Sequence, residues 1–530
     1  MNLPNIQYLL FRIALGLMIL ASSSNIGNCQ SKYVTATNGQ LAYQPDEKGN
    51  IIPDFSRVGY YNGERDIPAI EIVKVISPAL FGDSGGIIQH AIDEVATFPV
   101  NENGFRGAIF LRKGIYNISG NIEITVSGIV LYGDGDGDGD GEEGTVLVAT
   151  GKGRRSLVQI KGQGKRQQVG EMVRITDPYV PVGCFSFKVG NPEKFKIGDP
   201  VVIFRQGTKD WIHDLEMDAI VERDGTRQWQ AQEYDLHFER TIKKIDGETI
   251  LLDNPVVMSM EEKYGGGYIY KYSFDGRISQ IGIENIRLKS EFNSDNDEEH
   301  SWIAIEFEKT ENGWVRGVTA EHFAYSCVNI GGDSKMITVD HCFNREPKSI
   351  VTGGRRYSFN VNGQLNLVKN CEASGGRHDF VTGAKVCGPN VFYNCTAINT
   401  HSDIGPHHRW AVGTLYDNVI TDGDINVQDR GNWGSGHGWA GATQVVWNCT
   451  AKRACVQSPW VSATNYCIGF QGEKYSGRLP ERPDGEWDRH NEINTFPKSL
   501  FQSQLTQQRT LSDLNSSYTP SVNDRPDRLE

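Results

Sequence analysis

The sequence predicts an all-β solenoid, a right-handed parallel β-helix. Three observations predict it: a recurring Asn-apolar dipeptide, a β-rich run before most copies, and a step between copies that returns to 24 residues. The copies are Asn285-Ile286, Gly317-Val318, His341-Cys342, Asn370-Cys371, Asn394-Cys395, Asn418-Val419 and Asn448-Cys449, with steps of 32, 24, 29, 24, 24 and 30 residues between their apolar members. Runs such as Val391-Phe392-Tyr393 and Val445-Val446-Trp447 carry the β-branched and aromatic residues of strands and no helical period. A step near 24 that tolerates insertions suits one turn of stacked short strands. Asn is the residue for the corner, because it tolerates the left-handed region and its amide can pair along the stack.

Cys342, Cys371, Cys395 and Cys449 fall on the inward side of that corner and read as a packing ladder of small, soft side chains. A disulfide framework is the competing reading in an exported chain. The cysteines form no tight Cys-x-x-Cys pairs, so a zinc site is not indicated.

Residues Met1–Arg12 carry one cation and precede the apolar run Ile13–Ala21 and the small residues Ser22–Ser24. This is the pattern of a secretory leader, too short to span a bilayer, and is assigned to residues 1–29. Export to the medium or periplasm is expected, with a lipid-anchored surface form through Cys29 as the alternative. No later segment reads as a membrane helix. The net charge of −13 disfavours nucleic acid, which wants a basic face. An acidic chain that binds an acidic polymer must gather its cations into one groove. A monomer is expected.

The remaining chain divides into an extension over 30–79, the solenoid over 80–470 and a C-terminal extension over 471–530 with a short helix and a polar tail. Asp83-Ser84-Gly85-Gly86 opens an amphipathic helix over Ile87–Val95, suited to capping the first coil. Residues 166–275 break the rhythm and read as a β-rich insertion carrying Trp211, His213, Trp229, Tyr234 and His237, of the kind that builds a binding face. The alternating Gly133–Gly141 run, with Asp134, Asp136, Asp138 and Asp140, offers calcium ligands but reads first as a surface loop.

Polar and aromatic residues concentrate between Gly375 and Trp439. Here stand Arg377-His378-Asp379, His401, Asp403, His407-His408-Arg409-Trp410, Arg430, Trp433, His437 and Trp439, and His341 lies just upstream. Residues 24 apart should stack about 4.8 Å apart, which sets Arg377 beside His401 and Asp379 beside Asp403. One coil on, Pro406–Arg409 should meet Arg430–Trp433. Eliminating across C4–C5 of a uronate needs a charge for the carboxylate, a base at C5 and an acid for the leaving oxygen. Arg377, Arg409 and Arg430 are the carboxylate candidates, because a guanidinium matches that group bidentately. His378, His401, His407 and His408 are the acid/base candidates. Arg355, Arg356, Tyr357, His300, Trp302, Trp410, Trp433, His437 and Trp439 are candidates for substrate contact, with Asp379 and Asp403 orienting their neighbours.

The order of cap helix, Gly107–Tyr116, Ile122–Thr125 and Gly128–Gly133 resembles the N-terminal part of pectate-lyase-like right-handed β-helix proteins, over roughly residues 80–470. The resemblance implies a polysaccharide lyase acting by β-elimination, often with calcium held by Asp and Glu. That carboxylate constellation is not evident here, which favours a His/Arg version. The Arg-His-Asp-Phe and His-His-Arg-Trp elements resemble lyase-like enzymes acting on algal glucuronans such as ulvan. The alternatives are an oligosaccharide dehydratase of the same chemistry, a glycoside hydrolase using carboxylates among Asp379, Asp403, Asp424 and Asp429, and a non-catalytic carbohydrate-binding protein.

Overall fold

The computed structural model describes residues 29–135 and 144–517; the leader up to Asn28, most of the Gly/Asp run and the end of the tail lie outside the described residues. Twenty-nine strands form one hydrogen-bonded array, and every pairing along the coils is parallel, as in Leu367–Lys369 on Cys387–Tyr393 with Leu367 opposite Val391. This is a parallel β-helix, with coils running on to Glu486–Asp488.

The corners form for the reason the sequence gives. Asn285, Gly317, His341, Asn370, Asn394, Asn418 and Asn448 all take positive φ, at 54, 62, 51, 53, 52, 55 and 48°. Asn394 Nδ2 donates to Asn370 Oδ1 at 2.7 Å, and Asn370 Nδ2 donates to Asp340 Oδ1 at 2.9 Å. Inside each corner Cys342, Cys371, Cys395 and Cys449 are fully buried and unpaired, so the packing reading holds and the disulfide reading does not. Their thiols donate to nearby carbonyls, Cys371 Sγ to Lys369 O at 3.1 Å among them. Aromatic rings stack from coil to coil beside them, Phe359 on Phe380 at 5.4 Å and Phe392 on Tyr416 at 5.3 Å.

At the N-terminal end the helix Gly85–Ala96 buries Ile88, Ala91, Ile92 and Val95 against this core. Ser84 precedes it without capping it by side chain; its Oγ accepts from Ala79 N instead. The insertion forms a six-stranded antiparallel sheet over Gln167–Ser273 with its own core. Its Trp211 and Trp229 pack edge-on against Trp410, at 5.0 and 6.5 Å. On another flank the helix Leu500–Ser517 and residues 30–60 cover outward apolar positions, with Leu500 and Phe501 joining Val34, Phe55 and Leu415. Buried Asp417 pins that helix by accepting from Phe501 N and Ser499 Oγ, both at 2.7 Å. Among the described residues no helix is long and apolar enough to cross a membrane.

Asn370 carries both the strained corner and two ladder hydrogen bonds. Asn370→Ala should lower stability in urea unfolding by about 2 kcal/mol. Asn370→Gly should recover roughly half of that, because glycine accepts the left-handed backbone without penalty. Equal losses in the two variants would show that the backbone conformation is not what Asn supplies.

Candidate functional site

The dense polar stretch lines a cavity of about 870 Å³ on the outer face of the coils. Two register steps build it. Phe380–Thr382 pairs with Asp403–Pro406, Val381 opposite Gly405, which is the 24-residue step. Asp403–Pro406 then pairs with Asp424–Val427, Asp403 opposite Asp424, a step of 21. Arg377, His378, His401, Asp403, His407, Arg430, Trp433 and His437 all line the cavity, together with Tyr357.

At its floor, His378 is buried and held by Asp403: Nδ1 lies 3.0 Å from Asp403 Oδ1 and 3.0 Å from its main-chain oxygen. The second Asp403 oxygen takes the Arg430 guanidinium, and Ser402 Oγ donates to Oδ1 at 2.9 Å. Burial alone would raise the Asp403 carboxyl, but Arg430 and His378 hold it well below the usual carboxylate range. Above this floor Tyr357 Oη and His407 Nε2 are hydrogen-bonded at 3.1 Å, with the rings of Tyr357 and His407 4.9 and 4.5 Å from that of His378. His407 Nδ1 has no hydrogen-bond partner among the described residues. Burial pushes the Tyr357 phenol up, so it stays protonated at neutral pH. Burial, then His378 and Arg430, pushes the His407 imidazole far below its ordinary value. His408 and His437 continue the ring cluster, 5.0 and 5.2 Å from His407. Burial and neighbouring cations bring their pKa values down to about 4 and about 3. His407, His408 and His437 are therefore neutral imidazoles beside a protonated Tyr357 phenol.

Arg377 is half-buried, donates to Gly353 O and has no carboxylate within 4 Å among the described residues, as a binder for an incoming carboxylate requires. The two carboxylates in the cavity are both committed: Asp403 to Arg430, and Asp424 to Arg453 through contacts of 3.0 and 2.9 Å. Exposed His401 stands at the rim, its main-chain N–H bonded to Gly376 O at 2.9 Å.

Several expected contacts lie elsewhere. Trp410 and Trp439 are fully buried, so neither offers an open ring face to a sugar; they dock the insertion, and Trp439 Nε1 donates to Leu215 O at 3.2 Å. Arg409 does not meet Arg430 or face the cavity. It clamps the Ser435–Gly436 turn, because residues 428–440 loop out and close on an Asp429–Trp439 bridge. Asp379 lies beneath the surface, accepting from Ser358 Oγ and Thr400 Oγ1 at 2.6 Å each, and orients hydroxyls rather than His or Arg. Arg356 is buried against Ser349 and Gly375, and His300 is bound by Ser290 Oγ and Lys348 O. Arg355 pairs with Glu298 at 2.6 and 2.8 Å, and Trp302 stacks against Arg154, outside the cavity. His341 points away and pairs with Asp340.

Sequence reasoning assigned no role to Asn426, Gln428, Arg453, Tyr475 and Arg478, which also line the cavity, and considered Asp424 only as a hydrolase carboxylate. Asp424 stands one 21-residue step beyond Asp403, and Arg453 one 29-residue step beyond Asp424, neither of which follows from a fixed 24-residue period. Tyr475 and Arg478 arrive on a loop with no motif. The insertion contributes by support: Trp229 Nε1 donates to Gly436 O at 3.3 Å and Arg223 to Gly434 O at 3.2 Å, fixing the loop that carries Trp433 and His437. Among the described residues no group of three or more His, Cys, Asp or Glu is set to hold a metal ion.

No protein-family model matches the chain, and no curated protein matches it in sequence. Among solved structures it is similar to the tailspike protein gp49 of Pseudomonas phage LKA1, at 13% identity and a TM-score of 0.35 over 76% of this chain and 70% of that one. It is also similar to an exopolygalacturonase from Thermotoga maritima, at 9% identity and a TM-score of 0.31 over 79% of each. Likenesses this remote carry no information about substrate or reaction.

The depressed imidazoles make stability fall with acid. Below pH ~6.5 the unfolded chain protonates His408 while the folded chain does not, until about pH 4. Over that window folding should lose up to about 1.4 kcal/mol per pH unit from this residue. Thermal melts should show His408→Gln losing less stability than the parent between pH 6.5 and 5. Parallel pH curves for the two proteins would refute the neutral-imidazole assignment.

Proposed function

We propose that this chain is an exported carbohydrate-active enzyme that cleaves a uronate-containing polysaccharide by β-elimination. The observation that carries the reading is the Tyr357–His407 hydrogen bond beside the unpaired Arg377, in a cavity whose two carboxylates are already neutralised by arginine. Arg377 meets the uronate carboxylate, where its positive charge stabilises the carbanion-like charge that develops as C5 loses its proton. Neutral His407 takes that proton. The C5–H electrons form the C4=C5 double bond, the C4–O4 bond breaks, and Tyr357, kept protonated by burial, supplies a proton to the departing O4. The phenolate and imidazolium then exchange with solvent to restore the starting pair.

His378 acts through its neighbours. Asp403 fixes the ring, and the ring packs against both Tyr357 and His407, so this pair sets their orientation. A hydrolase would need a free carboxylic acid and a carboxylate flanking the bond, which the committed state of Asp403 and Asp424 disfavours. A dehydratase would use the same groups on a chain end.

Incubation of the mature protein with uronate polymers should raise ultraviolet absorbance while the chains shorten. Tyr357→Phe and His407→Gln should each lower kcat a hundredfold or more, in the range of a lost general acid or base. Absorbance with loss of water alone would mean a dehydratase, and new reducing ends without absorbance would mean a hydrolase. No change on any acidic glycan, or full activity in both variants, would overturn the proposal.

A further inference from the structure

Resting on the reading above, we infer a second anion subsite, formed by Arg478 on the cavity wall and supported by Arg223, which reaches the Trp433 loop from the insertion; it takes another acidic substituent of the same glycan. Arg478 arrives from the loop after Gln471–Lys474 and is held in place at two points. Its main-chain N–H donates to Gln428 Oε1 at 2.6 Å, and its guanidinium donates to Asn432 Oδ1 while lying 4.9 Å from the Trp433 ring centre. Arg223 reaches the same loop from the insertion, donating to Gly434 O at 3.2 Å. Neither guanidinium has a carboxylate within 4 Å among the described residues. The two lie near enough for the charge of Arg223 to act on Arg478. Like charges brought to one fixed loop, neither of them in an ion pair among the described residues, favour an anion from outside.

The rest of the cavity supports a paired arrangement. Arg430 and Arg453 are neutralised by Asp403 and Asp424, which leaves, among the described residues that line the cavity, Arg377 on one side and Arg478 on the other without an ion pair. Arg377 belongs to the coil before Asp403, and Gln428 and Trp433 follow the strand after it. The two places therefore lie on different coils along the cavity. A glycan with acidic groups on separated residues satisfies both at once. A glycan with a single acidic group satisfies only Arg377. Carboxylate and sulfate ester share this chemistry.

The test uses the full mature chain silenced by Tyr357→Phe, titrated calorimetrically with oligosaccharides carrying one carboxylate, two carboxylates, or one carboxylate and one sulfate. Binding of at least one of the doubly charged ligands should weaken about tenfold or more in Arg478→Gln and partly recover in Arg478→Lys, with the singly charged ligand unaffected. Arg223→Gln should show the same pattern more weakly, because that side chain is exposed. Arg377→Gln should weaken all three. Whichever doubly charged ligand responds to Arg478 identifies the substituent. Binding that depends on Arg377 but not on Arg478 overturns this subsite and leaves the proposed function standing. A parent that binds none of the three overturns both.

Discussion

One backbone constraint organises this molecule: from Asn285 to Asn448 each coil places a residue in the left-handed conformation at the same corner. Six side-chain residues and one glycine meet it between Asn285 and Asn448, and the amides of Asn370 and Asn394 tie successive corners together. Because the corner recurs, the strands that follow fall into register about 4.8 Å apart. Side chains far apart in sequence thereby become neighbours. Asp403 meets His378 across one step and Arg430 across the next, and the cavity exists because the corners hold that register.

The solenoid supplies position, while the insertion and the 428–440 loop supply enclosure. Trp211, Trp229, Trp410 and Trp439 form the joint between them, and the joint fixes the loop bearing Trp433 and His437. Enclosure changes the chemistry of the groups inside. Removing water keeps His407, His408 and His437 neutral and Tyr357 protonated. It also makes bare carboxylates costly, and Asp403 and Asp424 each stand against an arginine.

Much of this was legible in the chain. The Asn-apolar repeat announces the corners, the Cys positions announce the core, and the loss of rhythm after residue 166 marks the insertion. The 24-residue step holds where Phe380–Thr382 pairs with Asp403–Pro406, Val381 opposite Gly405. Legibility ends where burial depends on a distant partner. Trp410 and Trp439 look like sugar platforms until the insertion covers them, and Arg409 looks like a carboxylate binder until the 428–440 loop takes it. It also ends where the step changes. The 21-residue step after Asp403 brings in Asp424, and loop residues such as Arg478 carry no periodic signal at all.

The proposed function turns on whether the glycan bond is broken without water. Digestion of a uronate polymer in oxygen-18-labelled water, with the products weighed by mass spectrometry, tests this most directly. Elimination by the Tyr357–His407 pair predicts unsaturated fragments that carry no label from the cleavage step. Fragments that gain one labelled oxygen at each new reducing end, and no unsaturation, would contradict it.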